Sequence, residues 1–163
     1  MISTLGRLPR RGLAIAALAL AAAAGCGGED ADTPAACLAG SSAYLEALRV
    51  APEPVLLEGS TPISDCVPAD QDAAELGQAG EQMITAATQL NAEARRDPSG
   101  EATVQLGYLI GAVQQGAGEG GGIHADLLRR LDAAARFTQG GKPLPASFER
   151  ALGEGYAAGQ ETG

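Results

Sequence analysis

The chain has 163 residues, 20 acidic against 11 basic, and a formal net charge of −9. That balance excludes the electrostatic footprint of a nucleic-acid binder and opposes adhesion to anionic lipid head groups. With no Trp, two Phe and three Tyr but 45% hydrophobic residues, the core is expected to consist of Ala, Leu, Val and Ile, and Ala suits closely packed helices.

Arg7, Arg10 and Arg11 open a positively charged stretch, Gly12 to Ala23 is apolar, and Ala24-Gly25-Cys26 follows before the acidic Gly27-Gly28-Glu29-Asp30. This is the layout of an export signal. The apolar run of about 13 residues falls short of the roughly 20 that a membrane span needs. Its end, Ala23-Ala24-Gly25-Cys26, resembles the lipobox of bacterial lipoproteins, in which the cysteine receives a diacylglycerol and the signal is removed. The lipoprotein pattern prefers Leu three residues before the cysteine, where this chain has Ala23. The resemblance covers only the first 26 residues. It implies a signal over residues 1–25, lipidation of Cys26, attachment to a membrane through that lipid, and an extracytoplasmic location. An ordinary secretory cut after Ala22-Ala23-Ala24 is the alternative, and it would release the protein. Processing before Cys26 leaves 138 residues with 8 basic and all 20 acidic side chains, a net charge of −12.

Residues 26–33 are polar and Gly-rich, a flexible tether. Thr33-Pro34 then predicts a helix start, with Thr as N-cap and Pro at the first helical position. Leu38, Tyr44, Leu45 and Leu48 give this helix an apolar face to about Val50, and it must stop before Pro52 and Pro54. Residues 51–69 contain four prolines and read as an irregular connection, with Val55-Leu56-Leu57 tucked onto the core. Three cysteines in an exported chain leave one odd; with Cys26 lipidated, Cys37 and Cys66 remain as a pair. A helix from Cys37 to Val50 is about 20 Å long, whereas the following loop can reach about 50 Å, so the chain can return to close a disulfide. In the chain-entropy model such a bridge is worth about 3.5 kcal/mol.

A long helix is predicted from Asp70 to about Arg96. Leu76, Met83 and Leu90 recur every seven residues, and Ala79 or Gly80, Ala87 and Ala94 fill the seam between them. The alternation predicts a hairpin whose helices approach closely. Asp65, Asp70 and Asp72 lack the order of a calcium loop, and capping explains the last two more simply. No metal site or cofactor is expected. Glu101 to Gln115 is apolar around most of its circumference, the mark of a central helix. Its Gly107 and Gly111 form a GxxxG pair, read here as close packing inside a bundle.

Gly116, Gly118 and Gly121 fit a GxGxxG spacing, but no strand precedes them, so Gly116 to Gly122 reads as a flexible linker. His124 is the only histidine and sits in the first turn of a helix carrying Ile123, Leu127, Leu128, Leu131, Ala134, Ala135 and Phe137. As a weak catalytic candidate it is a general base with Asp126 or Tyr108 as partner; otherwise it packs at the surface or on a loop. Glu119, His124 and Asp126 form the candidate ligand-binding region. Arg129, Arg130 and Arg136 are expected to be solvated or paired with nearby carboxylates. After the break at Gly140 to Pro145, a last helix from about Ala146 should dock through Phe148, Leu152 and Tyr156 despite Gly153, Gly155 and Gly159.

The expected fold is all-α: a single bundle of about five helices over residues 34–163, stapled by one disulfide. The expected function is that of a lipid-anchored cell-envelope protein with a non-catalytic, partner-binding or structural domain, its partner an envelope protein or a small ligand. The alternative is a small-molecule or divalent-cation binding lipoprotein with its site near Gly116 to Asp126. Less favoured is a hydrolase or transferase using His124.

Overall fold

The computed structural model describes residues 32–118, 121–136 and 143–163. The expected signal, Cys26 with most of the tether, Glu119, Phe137 and the Gly140 to Lys142 break lie outside the described residues. Among the described residues there are five α-helices: α1 (Ser41–Ala47), α2 (Ala73–Ala94), α3 (Glu101–Ala117), α4 (Ile123–Ala134) and α5 (Ala146–Thr162). Two-residue strands β1 (Leu56–Leu57) and β2 (Thr61–Pro62) pair antiparallel in a small hairpin.

The first helical stretch differs from expectation. Instead of running unbroken from Thr33 to Val50, it divides into a 3-10 turn at Ala35–Leu38, α1, and a second 3-10 turn at Leu48–Val50. Gly40 makes the break: its φ of 98° is backbone that non-glycine residues rarely adopt. Thr33 does not cap this segment. Its N–H donates to Glu75 Oε2 at 3.1 Å, and its hydroxyl oxygen accepts from Gln71 Nε2, so residue 33 is pinned beside the start of α2.

Asp72 caps α2, its side chain accepting from the N–H groups of Ala74 and Glu75. The buried stripe Leu76, Ala79, Met83, Ala87 and Leu90 follows the predicted seven-residue seam. The disulfide also forms as predicted: Cys37 and Cys66 are bonded, with Cα atoms 5.5 Å apart. Next to it Tyr44, fully buried, donates to the Cys37 carbonyl at 2.9 Å. Burial pushes the Tyr44 phenol well above its ordinary pKa, because the phenolate would be desolvated.

α3 is central, with Leu106, Tyr108, Leu109, Ala112 and Val113 fully buried. Leu90 and Glu93 of α2 adjoin Glu101 and Gln105 of α3 in one groove, so these helices run antiparallel. The tightest approach is between α3 and α5. A Cβ on Gly107 would lie 2.1 Å from the Leu152 carbonyl oxygen, and one on Gly111 2.2 Å from that of Tyr156. In return, a Cβ on Gly155 would lie 1.9 Å from the Val104 oxygen, and one on Gly159 2.2 Å from that of Tyr108. Numbers rise together on both helices, so α3 and α5 are parallel. The contacts are reciprocal because the two helices carry the same motif, Gly107-Tyr108-Leu109-Ile110-Gly111 and Gly155-Tyr156-Ala157-Ala158-Gly159. Hydrogen bonding follows the same symmetry. Tyr108 Oη pairs with Thr162 Oγ1 of the opposite helix, and Tyr156 Oη donates to Gln114 Oε1.

α5 docks through the expected Phe148 and Leu152, and also through small residues that were not expected to serve as contacts. Phe148, Ala151, Gly155 and Gly159 are its buried positions, while Leu152 and Tyr156 are half-buried. Its glycines, unfavourable for helix propensity, are the contact surface itself. Gly116 also departs from its predicted place in a linker: it belongs to α3, where a Cβ would meet the Ser64 carbonyl oxygen at 2.2 Å.

Candidate functional site

Its glycines and His124 make the start of α4 the candidate site. Gly122, with φ 60°, makes the turn into α4, and Ile123 follows it with 45% of its surface exposed. Two residues apart on a helix lie on different sides, since each residue turns the axis by about 100°. His124 and Asp126 consequently separate. His124 is buried at 3% exposure, and its Nε2 lies 2.9 Å from the Pro68 carbonyl oxygen. An Nε2–H can donate to that oxygen. This contact ties α4 to the segment just after the disulfide, so His124 packs on a loop.

Tyr108, the other candidate partner of His124, has its hydroxyl committed elsewhere. It accepts from the Val55 N–H at 3.0 Å. Thr162 donates its own proton to the Ala158 carbonyl, so Tyr108 donates to Thr162 Oγ1 at 2.8 Å. Asp126, half-buried, pairs with Arg129 one turn along α4. Of the three proposed ligand-binding residues, the structure brings together neither His124 and Asp126 nor any described catalytic set; Glu119 lies outside the described residues. Among the described residues no cluster of three or more His, Cys, Asp or Glu is placed to hold a metal ion.

A concave site does exist on the other side of α4. Helices α2 and α4 run in the same direction: Leu127 lies against Gly80, and Asn91 reaches the carbonyls of Ala134 and Arg136. Between them is a groove of about 320 Å³, lined by Leu76, Gly77 and Gly80 on α2 and by Ile123, Asp126, Leu127 and Arg130 on α4. Leu127 has room there only because Gly80 has no side chain; a Cβ at that position would come within 2.8 Å of Leu127 Cδ1. Gly77 is different, for an added Cβ would meet nothing within 4 Å. The groove is open where a side chain at 77 would otherwise fill it.

The sequence marks Asp126 as a candidate, but it places Leu76 and Gly80 in a helix seam and Arg130 in solvent or in an ion pair, and it does not mark Gly77. The available signal was Gly77 next to Leu76, a glycine in an otherwise strong helix with no packing partner to require it. Asn91 was also missed. Buried inside α2, it donates through Nδ2 to the carbonyls of Ala134 at 2.8 Å and Arg136 at 3.0 Å, closing the end of α4. Arg95 Nη2 adds a third bond, to the Arg136 carbonyl at 2.9 Å.

Among the described residues no helix is long and apolar enough to cross a membrane. No family model, curated protein or solved structure matches the chain.

Proposed function

We propose that this chain is a lipid-anchored, extracytoplasmic binding protein of the cell envelope, held through Cys26 and without catalytic activity of its own. The observation that carries the reading is the Cys37–Cys66 disulfide. A structural disulfide belongs to the oxidising side of a membrane. Its formation also accounts for two of the three cysteines, leaving the one that stands in the lipobox-like sequence. The pinning of Thr33 to Gln71 and Glu75 gives the tether a fixed point of departure from the domain. With seven residue steps from Cys26 to Thr33, the domain can stand at most about 25 Å from its anchor.

Binding is the role that the α2/α4 groove supports. Its volume is in the range of small-molecule sites, and its lining is mixed, with apolar side chains predominating beside Asp126 and Arg130. His124, by contrast, is engaged by Pro68 and turned away from the groove, which removes the motive for a hydrolase or transferase reading. The test is fractionation of cells expressing the full precursor and its Cys26→Ser variant. The precursor should yield a processed protein in the membrane fraction that resists high-salt washing, and the variant should lose that attachment. Equal distribution of the two proteins between membrane and soluble fractions would refute the anchor.

A further inference from the structure

The groove between α2 and α4 lies at the tethered end of the bundle. It begins at Ala73, in the first turn of α2, where Glu75 of that same turn holds Thr33. Along α2 it extends from Ala73 to Gly80, about 10 Å at 1.5 Å per residue, so it is longer than a single side chain. Leu76, Gly77 and Gly80 form one wall, Leu127 and Ile123 the other, and nearly half of the Ile123 surface remains exposed at its edge. Glycine is a poor helix former, and at position 77 no neighbouring backbone requires it. What its absent side chain leaves is an apolar slot open to solvent.

The charges at the groove are asymmetric. Asp126 is engaged by Arg129, whereas the exposed Arg130 has no carboxylate partner among the described residues. In a chain of net charge −9, this leaves a cation beside an apolar slot. We infer that the groove binds a single-chain amphiphile with an anionic head group, drawn from the bilayer to which the domain is tethered, its chain between Leu76 and Leu127 and its head at Arg130. The bilayer as source rests on the anchor proposed at Cys26; the groove's chemistry does not.

Three features select this ligand class. The walls offer a chain the apolar side chains of Leu76, Ile123 and Leu127, and the lining carries two charged side chains, Asp126 and Arg130. A groove of about 320 Å³ is at the small end of ligand sites, which suits one acyl chain rather than two. Arg130 complements an anionic head, and a cationic head would meet an unpaired like charge.

The experiment uses the mature chain in phosphatidylcholine nanodiscs, or in buffer if Cys26 proves unmodified, with the methyl resonances of Leu76, Leu127 and Ile123 followed by NMR. Titration with dodecanoate should move these methyls saturably, with one ligand per chain. Dodecyltrimethylammonium, with the same chain and opposite charge, should bind at least tenfold more weakly. Gly77→Leu fills the slot at a position with free space and should weaken dodecanoate binding at least tenfold while the protein stays folded. Arg130→Gln should retain binding but erase the preference between the two head groups. The inference is overturned if dodecanoate produces no saturable shift, if Gly77→Leu binds as the parent does, or if the two amphiphiles bind equally to the parent. Because dodecanoate is added from solution, binding without a lipid on Cys26 would refute the anchor alone, and a lipidated chain that ignores dodecanoate would refute the groove alone.

Discussion

Gly107 of α3 and Gly155 of α5 each lie against the other helix's backbone, so closely that a Cβ would come within 2.1 Å of the Leu152 oxygen in one case and 1.9 Å of the Val104 oxygen in the other. No rotamer change relieves a clash with a carbonyl; the helices would have to move apart. Overpacking of this kind costs about 1–3 kcal/mol, which exceeds the roughly 1 kcal/mol that alanine gains over glycine in a helix. Gly107→Ala and Gly155→Ala should therefore lower the urea midpoint, by a net destabilisation of up to about 2 kcal/mol. Gly153, exposed and with nothing within 4 Å of an added Cβ, is the control. Gly153→Ala should raise stability by up to about 1 kcal/mol, and a change of the same sign at 153 and 155 would contradict the interface.

Reduction of the disulfide should cost about 3.5 kcal/mol, since the bridge closes a loop of sequence separation 29. The double variant Cys37→Ser, Cys66→Ser should show the same loss by denaturant titration and should not respond to reductant.

Tyr44 supplies a pH dependence. Its folded-state pKa lies above the unfolded value of about 10, so the folded state favours the neutral phenol. The stability it contributes is complete below about pH 10 and declines as pH rises beyond it, because the unfolded phenol ionises first. Tyr44→Phe should flatten that alkaline decline. At neutral pH the same change should cost about 1–3 kcal/mol, because the Cys37 carbonyl loses its donor in a buried site. An unchanged alkaline slope would show that the phenol is not protected by folding.

Asp72→Ala removes a side chain that accepts from Ala74 N–H at 2.8 Å and Glu75 N–H at 3.3 Å. Loss of such a cap costs about 1 kcal/mol, and Asp72→Asn should recover most of it. Full recovery by neither Asn nor Ser, with an equal loss for all three, would indicate that the charge rather than the cap matters.

The parts of the fold that could be read from sequence are those governed by local periodicity or covalent constraint. Leu76, Met83 and Leu90 announced the buried side of α2, and the cysteine count announced the Cys37–Cys66 bridge. Where glycine had two possible meanings, the reading divided. Gly40 breaks a helix that apolar spacing alone would have continued, whereas Gly116 is helical and its bare Cα leaves room for the Ser64 carbonyl. Propensity made Gly155 and Gly159 look like defects of α5, yet they are its contact surface. The repeated Gly-Tyr-x-x-Gly motif was the clue, but only a partner helix gives a small residue its purpose. The groove was less legible still. Its walls come from residues about 50 positions apart, and Gly77 differs from Gly80 only in what faces it.

The central claim is that Cys26 is the anchor and the other two cysteines are the staple. Intact mass spectrometry of the protein from the membrane fraction, without reductant, tests both parts in one measurement. The expected species is a chain beginning at Cys26 that carries a diacylglyceryl adduct and lacks two hydrogens for the Cys37–Cys66 bond. An unmodified chain beginning at Gly25, or one that still retains the apolar residues before it, would contradict it.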